Sequence, residues 1–162
     1  MTTQTKKSTT RKTRVKLPPN PFAHEVLELV SKQKTKAKKI EILQEYESDA
    51  LKSILIWNFD QTVISMIPEG AVPYKKNEVP VGTDHTSLRR EWKNLYHFVK
   101  GGNDTLNGIR RETMFIQMLE GLHPSEARIV ILAKDGRLDE EYSITYDQVA
   151  EAYPDIQWGG RS

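Results

Sequence analysis

The chain has 162 residues, 37% of them hydrophobic and 28% charged, and no cysteine. That length suits one domain with a modest core, and the lack of thiols excludes disulfides, thiolate nucleophiles and cysteine-held zinc or iron. No apolar run approaches the roughly 18 residues of a membrane span, and the first thirty residues hold no apolar signal core, so a cytoplasmic protein with no membrane partner is expected.

The net charge of +2 hides a split. Residues 1–39 hold eleven Lys and Arg against Glu25 and Glu28, giving +9, whereas residues 40–162 hold thirteen against twenty acids, giving −7. The opening MTTQTKKSTTRKTRVKL has almost nothing to bury, so residues 1–21 are expected to be a disordered basic tail ending at Pro18, Pro19 and Pro21. Residues 22–162 are expected to form a single helical domain. Phe22, Val26, Leu27 and Val30 share one helical face and predict a helix over 22–33. The lysine-dense SKQKTKAKK leads into Ala37, Ile40, Leu43 and Tyr46, a second helix whose starting lysines oppose the helix dipole and suggest an outside use. Ser48 caps a third helix carrying Leu51, Ile54, Leu55 and Trp57, and Asp60 caps a shorter one over 61–67 that Pro68 closes.

Residues 68–83, with three prolines and two glycines, read as a long loop of the kind that carries function. A helix then begins near Asp84, with Thr86 or Ser87 as alternative caps. It places Leu88, Trp92, Leu95, Tyr96 and Val99 on one side and stops at Gly101, where a left-handed residue is wanted. Asp104 or Thr105 starts the next, bearing Leu106, Ile109, Met114, Phe115, Met118 and Leu119 and ending at Gly121. In HPSEARIVILAKDGRL, Pro124, Glu126 and Gly136 favour a helix, although Ile129, Val130 and Ile131 before Asp135-Gly136 would also suit a hairpin; helix is preferred. Thr145 and Gln148 have capping-box spacing before a last short helix closed by Pro154. The expected fold is all-α: a compact bundle of about six or seven short helices behind the basic tail.

HEVLE, His24 to Glu28, resembles part of a zinc-protease helix but has glutamate where the second histidine belongs, and His85, His97 and His123 are scattered. No metal site is expected. Neither G-x-x-x-x-G-K-[ST], G-x-G-x-x-G nor G-x-S-x-G occurs, so no catalytic residue and no cofactor are expected. The tail cations Lys6, Lys7, Arg11, Lys12, Arg14 and Lys16 can neutralise phosphates and release counterions; a solvated terminus or an arm for an acidic protein fits the same residues. A second cluster, Arg89, Arg90 and Lys93 with Arg110 and Arg111 on the following helix, could present forked donors on one face. Internal salt bridges to the acidic body would use them equally well.

The strings ILIWNFDQTVISMIPEG, GTDHTSLRREWKNLY, FVKGGND, IRRETMFIQMLEGLHPSEA and AYPDIQWGGRS resemble a family of small uncharacterised proteins of contractile-tailed bacteriophages (myoviruses), including those of marine cyanobacteria. The resemblance runs from about Phe22 to Ser162 and carries no assigned activity. It implies a viral protein in the cytoplasm of an infected bacterium, with virion association as an alternative site. The expected function is accordingly that of a non-enzymatic accessory or adaptor protein. It would bind nucleic acid or an acidic surface through the tail and a phage or host protein through the body. The alternative is a structural or assembly component of the virion, docking through the 68–83 loop and the WGGRS end.

Overall fold

Side-chain caps set most of the helix starts in the computed structural model, which describes residues 16–80 and 84–159. The described chain is all-α, with α1 (Ala23–Lys32), α2 (Lys36–Glu45), α3 (Asp49–Phe59), α4 (Leu88–Glu91), α5 (Gly108–Gly121), α6 (Pro124–Lys134) and α7 (Tyr146–Ala152). Two 3-10 stretches, Trp92–Phe98 and Leu138–Glu140, follow α4 and α6. Thr35, Ser48 and Asn107 each accept a backbone N–H from the first turn they precede, and Thr145 and Gln148 form the expected capping box. α6 runs to Lys134 and ends through left-handed Gly136, with the Gly136 and Arg137 amides turning back to Ala133 and Leu132, so helix and not hairpin is adopted there.

α6 is the central element, packed against α1, α3 and α5, while α2 lies against α1 and α7. Leu27, Ile54, Phe115, Leu119 and Ile129 are fully buried in the single core these helices enclose. Each such side chain contributes about 1.5–3 kcal/mol.

Three expectations fail for identifiable reasons. Residues 61–67 are not helical: the Asp60 carboxylate accepts from both the Thr62 amide and hydroxyl, forming a local turn in place of a helix cap, and Ser65 pairs antiparallel with Val99. The helix expected from Asp84 begins only at Leu88 and tightens to 3-10 after Glu91, because Asp84 accepts from the Asn77 side chain, not from a helix amide. The three-residue period of that stretch turns Leu95 and Phe98 inward and Trp92 part-way, and leaves Tyr96 49% exposed. α5 begins at Gly108, so Ile109 in its first turn stands 83% exposed instead of in the core.

Buried cations secure the irregular segments. Lys39, one of the lysines expected to face outward, donates to the Val30 and Ser143 carbonyls, and Lys36 pairs with Glu151. The Lys134 ammonium, its side chain fully buried, donates to the Pro68 and Gly70 carbonyls and pairs with Asp135, whose other oxygen accepts from the Gly70 amide. The expected long loop is therefore stapled onto α6 over its first residues, and Lys75 and Asn77 fasten it to Glu120 and Gly121. The expected tail boundary also shifts: Leu17 donates its amide to the Tyr46 hydroxyl, and Pro21 is buried.

The glycine pair after the 3-10 stretch has two separate requirements. Gly101 takes a φ of 87°, and a Cβ on Gly102 would run into the Tyr96 carbonyl. Gly101→Ala is expected to cost about 1–2 kcal/mol, the strain of one left-handed residue, while Gly102→Ala should cost more because backbone must move. Urea unfolding of the two variants checks this order.

Candidate binding surface

Positioning of α4 and the 3-10 stretch behind it depends on two buried charges. At the front, Glu126 in the first turn of α6 accepts the Leu88 amide on one carboxylate oxygen and the Ala23 amide on the other, both at 3.1 Å. The starts of α1, α4 and α6 thus meet at one carboxylate, which their unpaired amides favour. Burial pushes the Glu126 carboxyl up from its ordinary range, opposed by the two backbone donors and by His123, with Asp84 adding to the rise. At the back, Arg111 donates through Nε to the His97 carbonyl and through one terminal nitrogen to the Asn103 and Leu106 carbonyls, at 2.9–3.0 Å.

Beside Glu126 the fold joins two histidines that are far apart in sequence. The rings of His24 and His123 stack at 4.6 Å, with Phe22 against both. The His123 Nδ1 accepts from the Ser125 amide and caps α6, while the His24 Nδ1 is buried without a partner. Burial, then the neighbouring His123, pulls His24 below the usual imidazole value; Glu28 and Glu25 act the other way. Among the described residues no group of three or more His, Asp or Glu is placed to hold a metal.

Held at both ends, α4 and the 3-10 stretch expose Arg89, Arg90 and Lys93. None of the three has an acidic partner among the described residues, nor does Arg110 at the start of α5, although Arg128, Arg137, Lys36 and Lys52 all find one. The internal-salt-bridge alternative is not what this segment adopts: Glu91 binds Thr86 and Asn94 instead. Arg111 departs from the expected surface set. It is 6% exposed and spends its donors on backbone, because the turn between the 3-10 stretch and α5 leaves three carbonyls with no regular helical partner. Lys16 is exposed, and Lys6, Lys7, Arg11, Lys12 and Arg14 lie outside the described residues. At the other end of the chain, Trp158 packs edge-on to Tyr146, and a Cβ on Gly159 would strike Asp60 and Thr62, so this part of the WGGRS end is seated on its own fold.

Next to Lys93 a groove of about 310 Å³ runs between α3 and the 3-10 stretch, walled by Ile56, Trp57, Val63, Trp92, Leu95 and Tyr96. The sequence signal for it is the i, i+3 series Trp92, Leu95, Phe98, which suits a 3-10 period better than an α-helix.

Residues 26–140 match the model of a family of unknown function (DUF6433), and the chain belongs to that family. No curated protein and no solved structure matches it.

Two opposite pH effects follow at the junction. Glu126, raised in the fold, binds its proton more tightly folded than unfolded, so its share of stability falls as pH rises above 4.5. His24, lowered in the fold, binds its proton more tightly unfolded, so its share is lost as pH falls below 6.5. His24→Leu should therefore flatten the loss of melting temperature below pH 6.5. Glu126→Gln places an amide N–H₂ against a buried backbone donor and should cost roughly 1–3 kcal/mol at neutral pH, read by urea unfolding.

Proposed function

We propose that the chain works by binding, as an accessory or adaptor protein of phage infection in the bacterial cytoplasm. Its basic arm engages nucleic acid, and its helical body engages a phage or host protein. The observation that carries this reading is the exposed set Arg89, Arg90 and Lys93, without an acidic partner among the described residues, on a body with a surplus of acids. Guanidinium forks that form no ion pair among the described residues are ready for phosphate oxygens, and the tail cations supply a second, sequence-independent contact with the same polyanion. The phage setting is supported by the resemblance of residues 22–162.

Fluorescence anisotropy with duplex DNA tests the nucleic-acid half. Six phosphate contacts from the tail predict a slope of log affinity against log salt of roughly −5, and two more from the arginine pair add about −2. Deleting residues 1–17 should remove most of the binding, and Arg89→Glu with Arg90→Glu should shallow the slope. Binding that is absent, or indifferent to salt, contradicts the proposal.

A further inference from the structure

We infer that the groove between α3 and the 3-10 stretch seats a short apolar segment of a partner protein, its one or two large anchors flanked by carboxylates. This names the chemistry of the protein partner and rests on the binding role proposed above.

Three observations define the occupant. First, the groove is mostly apolar: Ile56, Val63, Leu95, Val99 and the Trp57, Trp92 and Tyr96 rings form its surface, and its polar side-chain groups are those of Ser53 and Lys93, the Tyr96 hydroxyl and the indole N–H groups, of which that of Trp57 is buried. An aliphatic or aromatic side chain buries itself there with no polar edge to be matched, whereas a nucleobase has to find all its partners among those few groups. Second, further apolar side chains are exposed on the segments that contribute to the groove. Six large apolar side chains are substantially exposed among the described residues, and three of them, Ile64, Met66 and Tyr96, belong to the two segments joined at Ser65 and Val99. Such a concentration marks an interaction site more often than chance exposure does.

Third, charge selects the flanks. Lys93 is the charged residue of the lining, it has no acidic partner among the described residues, and Arg89 stands four residues before it, equally unpaired. A segment with a carboxylate beside its anchors meets Lys93 at the lining. The chain's own basic tail meets repulsion instead and has little apolar surface to offer. The site is also preorganised, since Glu126 and Arg111 fix the two ends of its outer wall, so little ordering cost falls on binding.

The test is selection from a random-peptide display library on the full chain, in the absence of nucleic acid, followed by titration of the enriched peptides. Expected are sequences with one or two Leu, Phe or Trp residues next to Asp or Glu, whose affinity drops roughly tenfold or more with Tyr96→Ser and with Lys93→Glu. Thermal melts establish that both variants are folded, and Tyr96, being half exposed, is a mild site for substitution. The inference is overturned by no enrichment, by basic peptides, or by peptides indifferent to both substitutions. Competition by an oligothymidylate would instead assign the groove to nucleic acid, and a dimer dispersed by Tyr96→Ser would assign it to a second copy. Because no DNA is present, failure here leaves the salt-dependent DNA result standing, and failure of DNA binding leaves the peptide result standing.

Discussion

A single buried carboxylate organises this fold. Glu126 accepts an amide from α1, 103 residues before it, and another from α4, 38 residues before it, while occupying the first turn of α6. Helix starts are rich in unpaired donors, so a carboxylate among three of them is electrostatically favoured even as burial works against its charge. The arrangement fixes where α4 begins, and α4 begins the segment that carries the exposed arginines and the outer wall of the groove. Removing the acceptor would loosen not one helix but the relation among three.

The buried cations follow the same logic with opposite sign. Lys39, Lys134 and Arg111 each reach carbonyls that short helices and turns leave without regular partners: those of Val30 and Ser143, of Pro68 and Gly70, and of His97, Asn103 and Leu106. Such groups are costly to bury, and that cost is offset only where every donor is used. The cations thus include an inward class that stitches irregular backbone, a class paired with acids (Lys36, Lys52, Arg128 and Arg137), and an outward class, with Arg89, Arg90, Lys93 and Arg110, that meets no acid among the described residues. Placing Arg111 in the first class and Arg110 in the second separates two adjacent residues of identical type. A functional reading of the surface depends on that separation.

Local signals account for what the amino-acid order disclosed. Caps at Ser48 and Thr145, proline at Pro124, glycine at Gly136, and the apolar stripes of α1, α3, α5 and α6 act within a few residues, and the helices they imply are present. The misplacements are long-range in origin. Asp84 is used by Asn77 and Leu88 is capped by Glu126, so neither the start nor the pitch of the 84–99 segment is set locally. The non-helical run at 61–67 depends on Val99, more than thirty residues on, and the inward turn of Arg111 depends on carbonyls that a loop happens to expose. His24 and His123 stand 99 positions apart, and only the packing of α1 on α6 stacks them.

Glu126 is shared by α1 and α4, and amide chemical shifts of the full chain followed through a pH titration test that sharing directly. The Ala23 and Leu88 amides should move together, with a common inflection above the ordinary carboxylate range, as the one group they both contact is protonated. Separate inflections, or a common one at the ordinary value of 4.5, would contradict it.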